Sequence, residues 1–302
     1  MNLQFIADGL LVGAMIGLGA IGVSLTYSIL RFANFAHGEF IAWGAYAAVA
    51  ISGLIGFLTG QMAPLGPFSF GWPLLLAGAL AMVLTGLLAL ALDWVLFSRL
   101  RAHGNAIVMV MASFGASMAL RSLLEFIFTS QPTYFSRELQ ITIPVGDGVR
   151  VTPDQLLTLG MAVVLVTAMF LVMNRTTIGR SMRGVSENPA LASVVGVDVR
   201  AVIRATWLLG GALAAAAGIM VGLTVQIRPY MGFDLLLPLF AAAILGGIGS
   251  MPGAVFGGLI VGVAEAAAVP LVGAGYRGAV AFAVLIAVLI VRPTGLFGQR
   301  DQ

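Results

Sequence analysis

The sequence predicts an all-α, polytopic membrane protein with about eight to nine transmembrane helices, some of them short or interrupted. Three observations predict it. The 302 residues are 60% hydrophobic and only 9% charged, where a soluble domain carries about 25% charged residues. The apolar residues come in runs of about 20, long enough to cross a hydrocarbon core of about 30 Å. Gly is abundant, at 39 residues, which suits membrane helices whose backbones approach closely. So few charges cannot cover a water-exposed surface, and this excludes a soluble enzyme, a nucleic-acid binder and a disordered chain.

Taken in order, the runs lie at 9–30, 38–58, 73–97, 105–129, 154–173, 201–223, 253–270 and 276–292. A shorter stretch, 235–249, leads into Gly249-Ser-Met-Pro-Gly253 and is either a short ninth crossing or a re-entrant piece. The first run follows a start without basic residues and has no small-residue cleavage site, so it is expected to be a retained helix. Segments 59–72 and 130–153 are rich in Pro, Gly and polar residues and are expected to be outer loops. The chain 1–302 thus reads as a single transmembrane domain with one long polar loop at 174–200.

All 15 basic residues are Arg, and their positions orient the chain. Loop 174–204 carries Arg175, Arg180, Arg183, Arg200 and Arg204, loop 98–104 carries Arg99 and Arg101, and the tail carries Arg292 and Arg300. Arginine-rich loops stay in the cytoplasm. The expected topology therefore has about nine spans, with the N-terminus outside and the C-terminus cytoplasmic. With no Cys, disulfides, thiolate chemistry and Cys-ligated metals are excluded. His37 and His103 lie far apart in sequence and make a poor metal site.

Several stretches break the pattern of a plain apolar helix. In Arg31-Phe-Ala-Asn-Phe-Ala-His-Gly-Glu39, Asn34 and His37 are spaced to share a helix face, and Gly38 permits a bend. Glu39 falls at the start of the second span, where an ionisable group either serves a pathway or sits hydrated at the interface. Arg121 and Glu125 are four apart on one span and placed to neutralise each other. Asp93 and Glu265 are lone acids in apolar runs, either protonated or paired with a distant Arg. The Gly-rich stretches 244–249 and 253–258 read either as discontinuous helices facing a solute or as close packing. Gly9/Gly13/Gly17, Gly218/Gly222, Gly253/Gly257 and Gly258/Gly262 all have the small-xxx-small spacing that favours packing.

Loop 174–200 has a basic half followed by Ser186-Glu187-Asn188-Pro189. Ser186 is a candidate N-cap, with Asn188 and Pro189 opening the first turn or moving the cap by two. A short helix over 187–195 is expected, closed by Gly196 as C-cap. Such a helix is a docking element or lies on the membrane surface, held by anionic lipid. No phosphate loop, zinc motif or nucleophile elbow is present, so no catalytic residue and no cofactor is assigned. Any energy source must come from a partner or an ion gradient.

Four motifs together resemble the membrane permease of the branched-chain (hydrophobic) amino-acid ATP-binding-cassette importers, of the LivH type. They are Asn34-Phe-Ala-His-Gly-Glu39, Thr177-Ile-Gly-Arg180 with Glu187 to Gly196, Ala243-Ile-Leu-Gly-Gly-Ile-Gly-Ser250, and Pro252-Gly-Ala-Val-Phe-Gly-Gly258. The resemblance runs from about residue 5 to about 295. It implies two cytoplasmic ATP-binding subunits, a second permease subunit and a soluble extracytoplasmic solute-binding protein. It also implies that Gly179, Arg180, Arg183, Glu187, Ala192 and Gly196 form the loop that couples to an ATPase. Asn34, His37, Glu39, Gly246 and Gly247 are carried over as candidates lining the solute path. The chain departs from commoner members at Pro189, within the coupling helix, and at Arg121, within the fourth span. The expected function is an importer subunit of the bacterial inner membrane for branched-chain amino acids, working by alternating access. Related permeases for urea and short amides, an ion-coupled secondary transporter using His37, Glu39 or Glu265, and a non-transporting scaffold are the alternatives.

Overall fold

A computed structural model describes residues 3–60, 63–101, 105–136, 140–146, 148–292 and 294–298. His103 and Arg300 lie outside the described residues. The chain is helical almost throughout. Its helices are α1 (Gln4–Leu30), α2 (His37–Thr59), α3 (Trp72–Leu92), α4 (Ser98–Arg101), α5 (Ala106–Phe128), α6 (Pro153–Arg175), α7 (Thr177–Glu187), α8 (Pro189–Val194), α9 (Val199–Thr224), α10 (Met231–Gly246), α11 (Met251–Val272) and α12 (Arg277–Val291). A π turn, Asp93–Phe97, joins α3 to α4 in one continuous rod from Trp72 to Arg101. Among the described residues, seven helical stretches are long and apolar enough to cross a membrane, and α10 and α12 are shorter apolar helices. This is a multi-pass membrane protein, and each expected span has its helix.

The core is built on α1 and α9, the two most enclosed spans. Glycines let α1 meet α11 backbone to backbone: a Cβ on Gly13 would stand 2.7 Å from Leu259 Cα, and one on Gly9 2.6 Å from Val263 Cα. Gly17 meets Val255, while Gly258 and Gly262 face Gly17 and Gly13 from the other side. Gly218 of α9 lies on the Ile41 carbonyl of α2, and Gly246 of α10 on the backbone of Gly253. Removing the side chain at each crossing brings the helices close enough for dispersion to replace the hydrophobic drive that lipid does not supply. The packing reading of the glycine pairs therefore holds in the fold.

The chain does not cross cleanly between α1 and α2. Arg31 ends α1 in the left-handed conformation, φ 58°, its N–H donating to the Tyr27 carbonyl at 2.8 Å. Residues 32–36 then turn back into the bundle, and His37 opens α2 against Gly22 of α1 and Gly210 of α9. Gly22 lies about 12 Å from the end of α1 at 1.5 Å per residue, so α2 starts deep among the helices. Gly38 is not a bend. It lies in the first turn of α2, where a Cβ would stand 2.5 Å from the Gly232 carbonyl oxygen, so its value is close approach to α10.

Contacts sort the connections into two ends. At one, Gln4 binds the Arg150 backbone, Ser69 binds Asp154, and Thr133 bridges Ile227. A small hairpin pairs Ile143–Pro144 with Arg150–Val151 there. At the other end Arg31 donates to the Ser186 carbonyl, and Gly249 N–H donates to Ser24 Oγ at 2.8 Å.

Candidate functional site

The returning segment 31–39 builds a polar site inside an apolar bundle. Asn34, His37 and Glu39 are all buried. Asn34 precedes α2 and does not share a helix face with His37. Its Oδ1 accepts from Ala36 N–H at 3.1 Å and its backbone carbonyl from His37 N–H at 3.2 Å, a local turn that competes with helix. The His37 ring sits where Gly22 and Gly210 leave room, edge-on to Phe40 at 6.1 Å.

Glu39 is only 1% exposed, so it is not a hydrated interface residue. Its partner is Arg121 of α5, at 2.5 Å, and Ser117 donates to the same oxygen at 2.9 Å. This corrects the expectation that Arg121 pairs with Glu125. The guanidinium of Arg121 also lies over the rings of Phe233, at 4.5 Å, and Tyr230, at 5.0 Å. A cation sandwiched between carboxylate and aromatic faces is held by ion pairing and by the ring quadrupoles together. Asn34 Nδ2, Glu39 Oε2 and Arg121 Nε are buried with no hydrogen-bond partner among the described residues. Such atoms are costly in an apolar bundle unless something polar visits them.

The other intramembrane acids separate. Asp93, in the π turn, pairs with Arg101 at 2.7 Å. Glu265 is buried on α11 with Oε1 unpartnered among the described residues. Among the described residues no cluster of three or more His, Cys, Asp or Glu is placed to hold a metal.

The Gly-rich turn plays a structural part. Gly246 ends α10 against Gly253, and Gly247, φ 95°, lies on the backbone of Gly298. The chain near the C-terminus covers this turn, with Leu296 N–H donating to the Leu245 carbonyl at 2.8 Å and Phe297 N–H to that of Gly246 at 3.0 Å. Ser250 then caps α11, accepting from Gly253 N–H at 3.1 Å.

Loop 174–200 folds as two helices. Thr176 caps α7, accepting from Gly179 N–H at 3.2 Å. Gly179 rests directly on the Met173 backbone, which lets α7 turn sharply off α6. Arg183 reaches back to the Met173 carbonyl at 2.5 Å and Asn174 Oδ1 at 3.2 Å, satisfying the open end of α6. The residues before Asn188 are already helical, so the expected helix 187–195 divides: α7 ends at Glu187 and Asn188 caps α8, accepting from Leu191 N–H at 3.0 Å. Val195 is the C-cap and Gly196, φ 89°, stands one beyond. Gly196 N–H binds the Ser193 carbonyl and Val197 N–H that of Ala192, the paired closure that favours Gly in this place.

Arg180, Glu187 and Ala192 line one cleft of about 380 Å³ between α7 and α8. Gly179 and Arg183 shape the corner with α6, and Gly196 closes α8. Leu191 and Val195 line the same cleft and are strongly exposed, as is Val194. Sequence reasoning passed over these three, although exposed apolar residues on a capped loop helix were the available signal. It also missed Ser117, Tyr230 and Phe233 as the shell around Arg121, for which no local signal exists.

Residues 5–289 match the family described as the permease component of the branched-chain amino acid transport system. The chain is 32% identical to the high-affinity branched-chain amino acid transport permease BraD of Pseudomonas aeruginosa, over 99% of this chain and 96% of that protein. It is 30% identical to LivH of Escherichia coli with the same coverage. A probable branched-chain amino acid permease of Methanocaldococcus jannaschii is 26% identical over 98% of this chain and 92% of its own length.

Proposed function

The chain belongs to the branched-chain amino acid transport system permease family, and from that premise we propose that it forms the membrane path of an ATP-driven importer for branched-chain amino acids. The observation that carries this reading is the end-to-end similarity to two permeases named for that transport. The fold supports it physically. A buried polar segment, Asn34 to Glu39, stands inside apolar helices with unpartnered polar atoms, and a capped two-helix element stands on one end.

ATP hydrolysis belongs to two separate cytoplasmic subunits. The α7–α8 element docks on one of them, its cleft bearing Arg180 and Glu187 beside the apolar Leu191 and Val195. α7 is fastened to α6 through Arg183 and to the returning segment through Arg31 and the Ser186 carbonyl. Displacement of α7 by a closing ATPase pair therefore pulls on both, and the segment it pulls carries Asn34, His37 and Glu39. Gly246 and Gly247, which allow the tight α10–α11 turn, are the further candidates for the solute path. A second, different permease subunit completes the path, and a soluble binding protein delivers solute to the far end.

The membrane is the bacterial inner membrane. Arg31, Arg99, Arg101, Arg175, Arg180, Arg183, Arg200, Arg204 and Arg292 stand at or near the end that carries α7 and α8, against Arg150, Arg228 and Arg277 at the opposite one. That bias supports a cytoplasmic α7–α8 end, a cytoplasmic C-terminus and an outer N-terminus.

The test is co-purification from native membranes followed by reconstitution. Two ATPases and a second permease are expected to come with the chain, and leucine uptake in liposomes is expected to need ATP. Glu187→Lys is expected to abolish uptake while the chain still inserts. Uptake by the chain alone, driven by a proton gradient, would sink the reading in favour of a secondary transporter.

A further inference from the structure

A second cleft, of about 1020 Å³, opens where the π turn and α4 meet the start of α9. This is a large site, at the upper limit of the range for small-molecule pockets of about 300–1,000 Å³. It lies at the arginine-rich end and takes no part in the Asn34–Glu39 site or the α7–α8 cleft. Its two halves differ in chemistry. The inner wall is apolar, made by Leu87, Leu90 and Ala91 of α3, with Trp94 beside them. The rim carries Arg101, Arg200 and Arg204 against Asp93 and Asp198.

The charges on that rim do not cancel. Asp93 is committed to Arg101 at 2.7 Å. Asp198 caps α9, accepting from Ala201 N–H at 3.0 Å, and approaches Arg204 only to 3.9 Å, both side chains being mostly exposed. Arg200 is exposed and makes no ion pair among the described residues. Three guanidinium groups thus meet two carboxylates, and the surplus faces the cleft mouth.

The apolar wall continues outside the cleft. Leu80, Val83, Leu84, Leu87, Trp94 and Val95 are all exposed along the α3 rod, Trp94 at 71%, and form a stripe that only lipid tails solvate well. A Trp next to arginines at the end of such a stripe marks the level of the headgroups. One ligand class combines a phosphate for the rim with chains for the wall. We propose that this cleft binds an anionic phospholipid of the leaflet at the arginine-rich end, its phosphate held by Arg200 and Arg204 and its upper acyl chains laid against Leu87, Leu90 and Ala91. The π turn contributes by turning Asp93 inward, which ties Arg101 to the wall and leaves the other two arginines for the ligand.

The experiment is native mass spectrometry of the purified full-length chain titrated with phosphatidylglycerol or phosphatidylethanolamine. The unsubstituted chain is expected to retain phosphatidylglycerol preferentially. Arg200→Gln with Arg204→Gln is expected to weaken that retention by about fivefold for each arginine removed. Ala91→Phe, which fills the wall and leaves every charge in place, is expected to weaken it as well. Arg228→Gln with Arg277→Gln, at the opposite end, is expected to change nothing. Equal loss in that control would reduce the effect to general surface charge and overturn the proposal. Competition by glycerol 3-phosphate as effective as by the lipid would mean an anion site without lipid, and would also overturn it. So would loss of the preference once the ATP-binding subunits are bound, since the cleft would then be theirs.

Discussion

At the scale of single residues, the Glu39–Arg121 pair is the most consequential contact. It joins α2 to α5 across 82 positions of sequence, with Glu39 buried and Arg121 mostly so. Breaking one side of a buried pair strands the other charge, at a cost of about 3–5 kcal/mol. Arg121→Met is therefore expected to lower the thermal unfolding temperature in detergent markedly. Glu39→Gln combined with Arg121→Met is expected to recover much of that loss, because the double variant leaves no uncompensated charge. An equal or larger loss in the double variant would show that the pair is not the source of the stability. The sequence placed Glu39 and Arg121 among the residues of interest, yet it assigned Arg121 to Glu125. Spacing along one helix is visible in a sequence, whereas the helix packed alongside is not.

At the scale of elements, the two-helix loop is held by local chemistry and presents an exposed apolar surface, the one proposed above for docking. Asn188→Ala removes the cap of α8 and is expected to cost that helix about 1 kcal/mol, seen as faster amide exchange at 189–194 with the membrane helices unaffected. Leu191→Asp places a charge in the apolar part of the α7–α8 cleft. It is expected to weaken ATPase association by about 30-fold, as loss of a contact worth about 2 kcal/mol does, with normal insertion. Unchanged association would remove α8 from the docking surface. The α1–α11 crossing is governed by backbone contact. Gly13→Leu is expected to prevent stable folding, because Leu259 Cα stands where the new side chain must begin. Capping residues made α8 legible in advance to within two residues, whereas α7, over the basic half of the loop, was not foreseen. The division at Asn188 was foreshadowed by the Asn-Pro pair, which moves a cap when the chain before it is already helical.

At the scale of the whole molecule, the arginine bias and the alternation of spans support the proposed orientation. Because the chain contains no Cys, single cysteines at Ser193 and Gly146 provide a clean test. Ser193→Cys is expected to react with a membrane-impermeant maleimide only after the membrane is opened. Gly146→Cys, beside the small hairpin, is expected to react from outside without opening it. The reverse pattern would invert the topology.

The spans, the polar loop, the closure of α8 at Gly196 and the charge bias were determined by the sequence itself. Each depends on residues within about a helical turn of one another, or on hydropathy summed along one segment, so neighbours in sequence suffice. The tertiary structure decided the rest: the return of 31–36 into the bundle, the partner of Glu39, the wedging of His37 between Gly22 and Gly210, and the cleft beside the π turn. These arise where separate helices meet, and inside a membrane a buried polar group takes whichever partner the packing of those helices brings within reach.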